Sequence, residues 1–450
     1  MALRLLTLAL LLTLVGSGPR LMAHPEVTTL PKAYESSKRY RPTPMPDRIV
    51  LSWSDAPETT MDVTYRTEAG TQATLCQWIK AAEILGDHKS GAIPEAKQIE
   101  GTNEPFKTNA GEARIHSVKI RQLQPATKYA YRVGDGVNWS AWHQFKTASA
   151  NPEPFEFLYF GDAQNAVRAL WSRVRREAHA EAPRAAFALH AGDLINRSNA
   201  DAEWGEWHEA AGWLNATVPT VATPGNHEYG IQDLKQTVSG HWKPQFSFPT
   251  NGLEGLEETS YWFEYQGVRF IVLDSNTRQK EQGEWLDQLL TDLQPARWTI
   301  VTFHHPIFSA AKNRDNDMLR KLWKPLFDKH GVDLALQGHD HAYSRTGLGG
   351  PRDAVVGTEN VAEGVRSQNG QTVYVVSVSG PKNYTLNDSW DVSRAGSGIQ
   401  LYQAIRVEQG EIVYRAHRAN GDLYDAFTLK KDANGVVELV EQAEGSEIRR

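Results

Sequence analysis

Between Met45 and Thr147 apolar side chains recur at every second position in short runs: "RIVLSWS", "MDVTYRT", "ATLCQWI", "RIHSVKI", "KYAYRVGD" and "WHQFKT". A period of two sends one face of a strand into a core and the other toward water. Turn-rich pieces separate the runs. The longest of them, "GDHKSGAIPEAKQIEGTNEPFKTNAGE", is polar and reads as a surface loop. Six or seven short strands in about a hundred residues predict a β-sandwich.

After the Pro-containing linker "ASANPEP" (148–154) the grammar changes. "FEFLYF" is a continuous apolar run of the kind a doubly covered strand shows, and "NAVRALWSRVRREAHAEA" (165–182) has helical periodicity. Strand-like "AAFALHAG" and "PTVATPG" flank helical "ADAEWGEWHEAAGWL". Then follow "RFIVLDS", helical "EQGEWLDQLLTDL", "RWTIVTFHH", helical "NDMLRKLWKPLFDKH" and "VDLALQG". Strands alternating with helices predict a layered α/β domain. The end of the chain, "TVYVVSVSG", "IQLYQAIRVEQGEIVYRAHR" and "AFTLKK", returns to strands. The chain therefore divides into an all-β domain over 24–150 and an α/β domain over 151–450. "LQPATKYAYRV" looks like the strand-entry corner of fibronectin type III domains, with Tyr129 as the corner tyrosine.

Composition fits two soluble domains: 450 residues, 40% hydrophobic and 23% charged, with fourteen Trp read as core or domain-interface aromatics. A formal net charge of −6 disfavours a nucleic-acid-coating role. The N-terminus, "MALRLLTLALLLTLVGSG", carries an apolar run from Leu5 to Gly16, which matches a signal peptide over 1–23 better than a membrane anchor. No later stretch is long and apolar enough to span a bilayer. The single cysteine, Cys76, lies in an apolar alternation and reads as a core residue. An exported chain without internal disulfides points to a periplasmic or secreted protein.

Ligands of open α/β sheets gather at the carboxyl ends of strands. Here "FLYF" is followed by "GDAQ" (Asp162, Gln164) and "FALHA" by "GDLIN" (Asp193). "TVATP" is followed by "GNHEY" (Asn226, His227, Glu228), "TIVTF" by "HHP" (His304, His305), and "LALQ" by "GHDHAY" (His339, His341). Each cluster alone is an ordinary turn. Five in order, read as lying on one edge, are a constellation. Glycine before four of the five suggests tight turns that aim short side chains inward. Carboxylates, imidazoles and an amide oxygen suit first-row metal ions. The set is too large for one tetrahedral ion and suits two ions, roughly 3.5–4 Å apart, that share one Asp. Such a pair lowers the pKa of bound water to about 7 and clamps the oxygens of an in-line displacement at phosphorus.

The series GD, GDxx, GNHE, H-x-P and GHxH resembles the calcineurin-like metallophosphoesterases. The fibronectin-like domain ahead of it resembles that of the purple acid phosphatase branch or its bacterial relatives. The resemblance implies a four-layer α/β/β/α fold and a binuclear centre of Fe, Mn or Zn that hydrolyses a small phosphoester. It implies that Asp162 and His341 hold the first metal, Asp193 bridges, and Asn226, His304 and His339 hold the second. His227 would contact phosphate and serve the leaving group. Two positions depart from the family: Gln164 stands where many members have a ligand histidine, and Asn196 where purple acid phosphatases have a ligand tyrosine. Gln164 is kept as a possible ligand. His305, Arg314 and Tyr343 are candidate substrate contacts, with Lys312 and Arg345 beside them, and Glu228 is expected to close a supporting hydrogen bond. A phosphatase of monoesters is the leading expectation. A phosphodiesterase with the same metals and a surface-binding protein with a spent catalytic domain are the alternatives.

Overall fold

The computed structural model describes residues 36–84, 93, 95–232, 235–352, 370–387 and 389–442. The proposed signal segment lies outside the described residues. The N-terminal domain is a sandwich of two four-stranded antiparallel sheets. One runs Asp47–Ser52, Met61–Glu68, Gly111–Ile120, Thr102–Thr108, and the other Lys97–Glu100, Leu75–Lys80, Lys128–Gly134, His143–Lys146. Cys76 is buried in it as a free thiol. The backbone N–H of Gln124 donates to the Tyr129 hydroxyl at 2.9 Å, which locks the chain's entry into its strand.

The supposed surface loop is a correction. Its second half supplies both Lys97–Glu100 and Thr102–Thr108. Each is an edge strand with nearly every side chain in water. Neither face enters the core except at Phe106, so no apolar alternation marks them. Thr102–Thr108 even accommodates Pro105, which an edge strand tolerates.

The second domain contains two seven-stranded sheets. In the first, Thr220–Ala222, Ala188–His190 and Phe155–Phe160 run parallel and continue antiparallel into Leu401–Val407, Glu411–Arg418, Leu423–Lys431 and Val437–Glu441. The second has the order Tyr261–Tyr265, Val268–Val272, Trp298–Phe303, Leu334–Gln337, Val373–Val376, Tyr343–Arg345, Arg394–Gly396, with a parallel centre of four strands. Aromatic rings fill the space between the sheets: Phe157 meets Phe270 at 5.4 Å and Phe187 meets Phe263 at 6.0 Å between centroids. Helices Ser172–Glu181 and Asp201–Ala211 cover the outer face of the first sheet, where Trp171 and Trp207 flank His190. Helices Gln279–Asp292 and Asp317–His330 cover the second, burying Leu286, Trp323 and Phe327 against Ile271, Val301 and Ala335. The result is the expected helix–sheet–sheet–helix stack.

The two domains share one core. Trp53 of the sandwich lies within about 6 Å of Phe187, Phe263 and Tyr265 of the second domain (6.0, 6.1 and 5.7 Å between centroids). Beside it, both terminal nitrogens of Arg48 donate to Asp201 at 2.8 Å, and Arg66 adds a contact at 3.3 Å. Asp201 is fully buried, so removing either side of this pairing strands an uncompensated charge.

Four buried histidines outside the sheet-end clusters are held neutral. Burial lowers His116 and His241 to about 4 and His190 and His208 to about 3. These folded values lie below the ordinary 6.5, so the unfolded chain binds more protons as pH falls below about 6.5. The stability they contribute is complete above that pH. It is lost between about 6.5 and 3, at about 1.4 kcal/mol per pH unit for each group. Thermal melts at pH 7.5, 6 and 5 are expected to show a steep fall in Tm, and His116→Gln is expected to flatten it. A Tm independent of pH across that range would contradict the assignment.

Candidate metal centre

The five polar clusters come from two sheets, which corrects the single edge expected from sequence. Phe155–Phe160, Ala188–His190 and Thr220–Ala222 end in the first sheet, and Trp298–Phe303 and Leu334–Gln337 in the second. Their carboxyl ends meet in one crease. The antiparallel pair Tyr261–Tyr265 and Val268–Val272 starts the second sheet. Strand–helix alternation reads the same whether the next strand extends one sheet or founds another.

In the crease, His304 Nε2 lies 3.1 Å from Asn226 Oδ1, 3.1 Å from His339 Nδ1 and 3.3 Å from Asp193 Oδ2. His339 Nδ1 is 2.9 Å from Asn226 Oδ1. On the other side, His341 Nε2 lies 3.5 Å from Asp162 Oδ2 and 3.1 Å from Gln164 Nε2, which also donates to Asp193 Oδ2 at 2.8 Å. Asp193 thus touches both halves of the cluster. Two triads, Asp162–Asp193–His304 and His304–His305–His339, have ligand atoms within 4.8 Å of one another. Apart from half-buried Asn226, His305 and His339, these side chains are sealed from water.

The backbone that presents them is unusual. Asp162, Asp193 and His339 have φ of 35°, 52° and 70°. Left-handed non-glycine residues cost energy and persist where the surroundings fix them. The glycines that precede them serve mainly close approach rather than turning. A Cβ at Gly225 would lie 2.1 Å from Asp193 Oδ1, and one at Gly338 would lie 2.4 Å from Asp162 Oδ1. Only Gly192, at φ 86°, needs the left-handed region itself. Glu228 holds the Asp193 turn together. Its carboxylate accepts the N–H groups of Asp193, Leu194 and Gly225 at 2.9, 2.8 and 2.7 Å.

The charges are out of balance. Burial pushes Asp162 well above the usual carboxylate range, with His304 opposing. Burial also acts to raise Asp193, but the charge and hydrogen bond of His304, with His227, hold it down to about 2. Burial would lower His304, yet Asp193 and Asp162 hold it up at about 10. Burial and the charges of His304 and His305 push His339 far below the ordinary imidazole range, and burial takes His341 to about 3. Burial thus favours the neutral form of Asp162 while Asp193 pairs with the His304 imidazolium, so two buried carboxyl groups share one positive charge. Asp162 Oδ2 and Gln164 Oε1 are buried with no hydrogen-bond partner. A donor set of carboxylate, imidazole and amide atoms that lacks positive charge fits metal ions.

His227 stands beside this set. Its Nδ1 donates to the Asn196 carbonyl at 2.6 Å, and its backbone N–H donates to Asp193 Oδ1 at 2.8 Å. The ring is partly open to solvent, with Nε2 3.9 Å from Asp193 Oδ2. Pockets of 580 and 270 Å³ open on either side of Asn226, one lined by His227 and the other by His305.

Residues 46–147 match the family described as Purple acid Phosphatase, N-terminal domain, and residues 155–343 match Calcineurin-like phosphoesterase. Residues 155–343 thus form a calcineurin-like phosphoesterase domain behind a domain of the purple acid phosphatase N-terminal kind. Acid phosphatase type 7 of Homo sapiens is 27% identical over 342 residues, 68% of this chain and 71% of that protein. Purple acid phosphatase 15 of Arabidopsis thaliana is 26% identical over 267 residues, 52% of this chain and 49% of that protein. The chain thus spans about half the length of that plant relative. Purple acid phosphatase PPD1 from yellow lupin (Lupinus luteus) seeds superimposes with a TM-score of 0.69 at 19% identity, covering 87% of this chain and 75% of the lupin chain. PhoD gives 0.62 at 13% identity, with coverages of 89% and 94%. At these identities the structural likeness shows the fold.

Several expectations for the site need correction. Tyr343 does not contact substrate. It is fully buried, and its hydroxyl donates to Asp425 at 2.6 Å. Arg345 is buried in the same network, donating to Asp425 and Glu441 at 2.7 and 2.8 Å. Both follow the GHDH turn, but the strand Tyr343–Arg345 carries them away into the second sheet. Arg314 does reach the cluster, where its guanidinium contacts His339 Nε2 and donates to Asp340 at 2.9 Å. Lys312 is exposed. His305 lies against His339 at 4.2 Å between centroids, and its Nδ1 is 2.8 Å from the Ser275 hydroxyl. Tyr384 escaped the sequence reading. It packs 4.8 Å from His341 with Arg314 and Lys382 on its ring. Nothing in the local sequence around Tyr384 marks it.

Asp193→Ala is expected to lower metal content by at least one ion per chain and to remove most activity, as read by elemental analysis and turnover. Full occupancy with near-normal turnover would end the shared-ligand reading. His227→Ala is expected to keep its metal while kcat falls roughly 10²–10⁴-fold. Loss of metal in that variant would make His227 a ligand.

Proposed function

We propose that the protein hydrolyses phosphate monoesters at a centre of two metal ions. The observation that carries this reading is the position of Asp193, whose carboxylate touches both halves of a buried set of oxygen and nitrogen donors. Asp162 and His341 would hold one ion and Asn226, His304 and His339 the other, with Asp193 shared; Gln164 turns its amide nitrogen to the cluster and would join the first ion only with its amide reversed. Iron, manganese and zinc all suit these donors. Such ions supply Lewis acidity to a phosphoryl oxygen and a water acidic near neutral pH.

The chain's own groups do the rest. The Asn196 carbonyl orients the His227 ring, so that Nε2 faces the crease and can give a proton to the departing alkoxide. Glu228 keeps Asp193 in its left-handed turn. Arg314 braces the outer edge of His339. A diesterase is the second reading, favoured by the 270 Å³ pocket beside His305, which offers room for a second ester arm. Export to the periplasm or medium is part of the proposal, supported by the N-terminal apolar run and the lone Cys76. Among the described residues no helix is long and apolar enough to cross a membrane.

One assay pair tests the chemistry: a chromogenic phosphomonoester against the matching diester, on protein of measured metal content. The monoester is expected to be turned over faster. Preference for the diester would replace the first reading by the second, and no turnover of either by fully metallated protein would sink both. A second expectation concerns colour. Asn196 supplies no phenolate, so iron-loaded protein is expected to lack the intense visible band of a tyrosinate–ferric centre. If that band appears, Tyr384 is the residue to mutate first, because its ring lies against His341.

A further inference from the structure

The hairpin formed by Thr102–Thr108 and Gly111–Ile120 ends in a tight turn at Asn109 and Ala110. Its tip leans on the second domain. Phe106 packs edge-on against His241 at 4.9 Å, and Asn109 Oδ1 accepts the backbone N–H of Asp201 at 3.0 Å. Asp201 opens helix Asp201–Ala211 and is the residue that Arg48 and Arg66 clamp. The segment just before that helix, Asn196 to Ala200, is the one whose Asn196 carbonyl orients His227. The hairpin tip, the loop and the His227 ring together line the 580 Å³ pocket beside the metal centre.

We infer that this pocket is a leaving-group subsite for an uncharged, polyhydroxylated alcohol of the sugar type, and that Asn109 of the β-sandwich is one of its recognition residues. The inference rests on the hydrolase reading above and adds the substrate class. His227 is the group that protonates the departing oxygen, so the alcohol must lie on its side of the phosphorus. The wall on that side is built from Asn109, Asn196, Ser198, Asn199 and Tyr229. The amides and the Ser198 hydroxyl pair with hydroxyls as donors and acceptors, whereas the Tyr229 hydroxyl is taken up by Asp274 and Asn199 Oδ1 accepts from Ser239. The one charged lining residue, Arg197, is ion-paired with Glu203 at 2.6 Å and points largely into solvent. A second phosphate or a carboxylate on the alcohol would find no free cation among the described lining residues. A simple alkyl group would leave the amides without partners.

The Asn109 amide divides its two ends between two tasks. Its oxygen anchors the tip to Asp201, and its nitrogen retains two donors beside the pocket. Asn109→Asp keeps the anchoring acceptor and removes the donors, whereas Asn109→Ala removes both. This separates recognition from support of the fold.

The test compares a hexose 6-phosphate with methyl phosphate on full-length, metal-loaded protein. Both esters release a primary alkoxide, so the chemical step is closely matched. Wild type is expected to favour the hexose ester in kcat/KM by roughly tenfold or more, as two or three hydrogen bonds would give. Both Asn109 variants are expected to lower that ratio roughly three- to tenfold, through KM for the hexose ester. A wild-type ratio near one, or a ratio that survives both substitutions, would overturn the subsite. A fall with Ala but not with Asp would make Asn109 an anchor only and overturn its role in recognition. Failure of wild type to hydrolyse either ester would sink the hydrolase reading, and the subsite with it.

Discussion

Two carboxyl groups, Asp162 and Asp193, are sealed from water where two β-sheets meet, with the His304 imidazolium as the one positive charge for the pair. Isolated buried charge is among the most costly arrangements a protein can hold. The surrounding structure is arranged around that cost. His304 bridges the pair from the second sheet, the His339 backbone N–H donates to Asp162 at 2.7 Å, and the His227 N–H donates to Asp193. A cation of higher charge is what such a set is short of.

Holding those carboxylates requires backbone that a sequence would not choose on propensity. Three functional residues sit at positive φ, and glycines stand wherever a Cβ would strike a carboxylate. Glu228 ties the chain before Asn226 to the chain at Asp193 by taking N–H groups from both. Burial and the charge of Asp193 raise Glu228 to about 7, so the anchor itself is near the edge of ionisation when no cation is bound. Metal binding and the integrity of this turn are thus coupled through one buried acid.

The β-sandwich is more than a tethered neighbour. Trp53 enters the aromatic layer between the sheets, and Asp201 ties two sandwich arginines to the helix that follows the Asn196–Ala200 loop. That loop aims His227. A contact made for stability therefore fixes the orientation of a group beside the metal centre, which is one physical reason for the two domains to be fused.

The sequence by itself determined the β-then-α/β order of the chain and the polar residues that the fold gathers in the crease. Burial on both faces writes long apolar runs, and a strand end leaves its polar residues directly after the run, where local spacing reveals them. It determined much less wherever a residue's partner is distant. The strands Lys97–Glu100 and Thr102–Thr108 looked like a loop because edge strands bury almost nothing. Tyr343 and Arg345 looked like cleft residues because they follow a ligand turn, yet strand direction takes them to Asp425, some eighty positions away in the chain. Tyr384 carries no local signal and reaches His341 only through the fold. Whether five strand ends lie on one sheet or two was decided by pairing with strands far along the chain, such as Leu401–Val407 against Phe155–Phe160. Hydrogen-bond pairing of that kind is a long-range choice, and local periodicity is the same for either outcome.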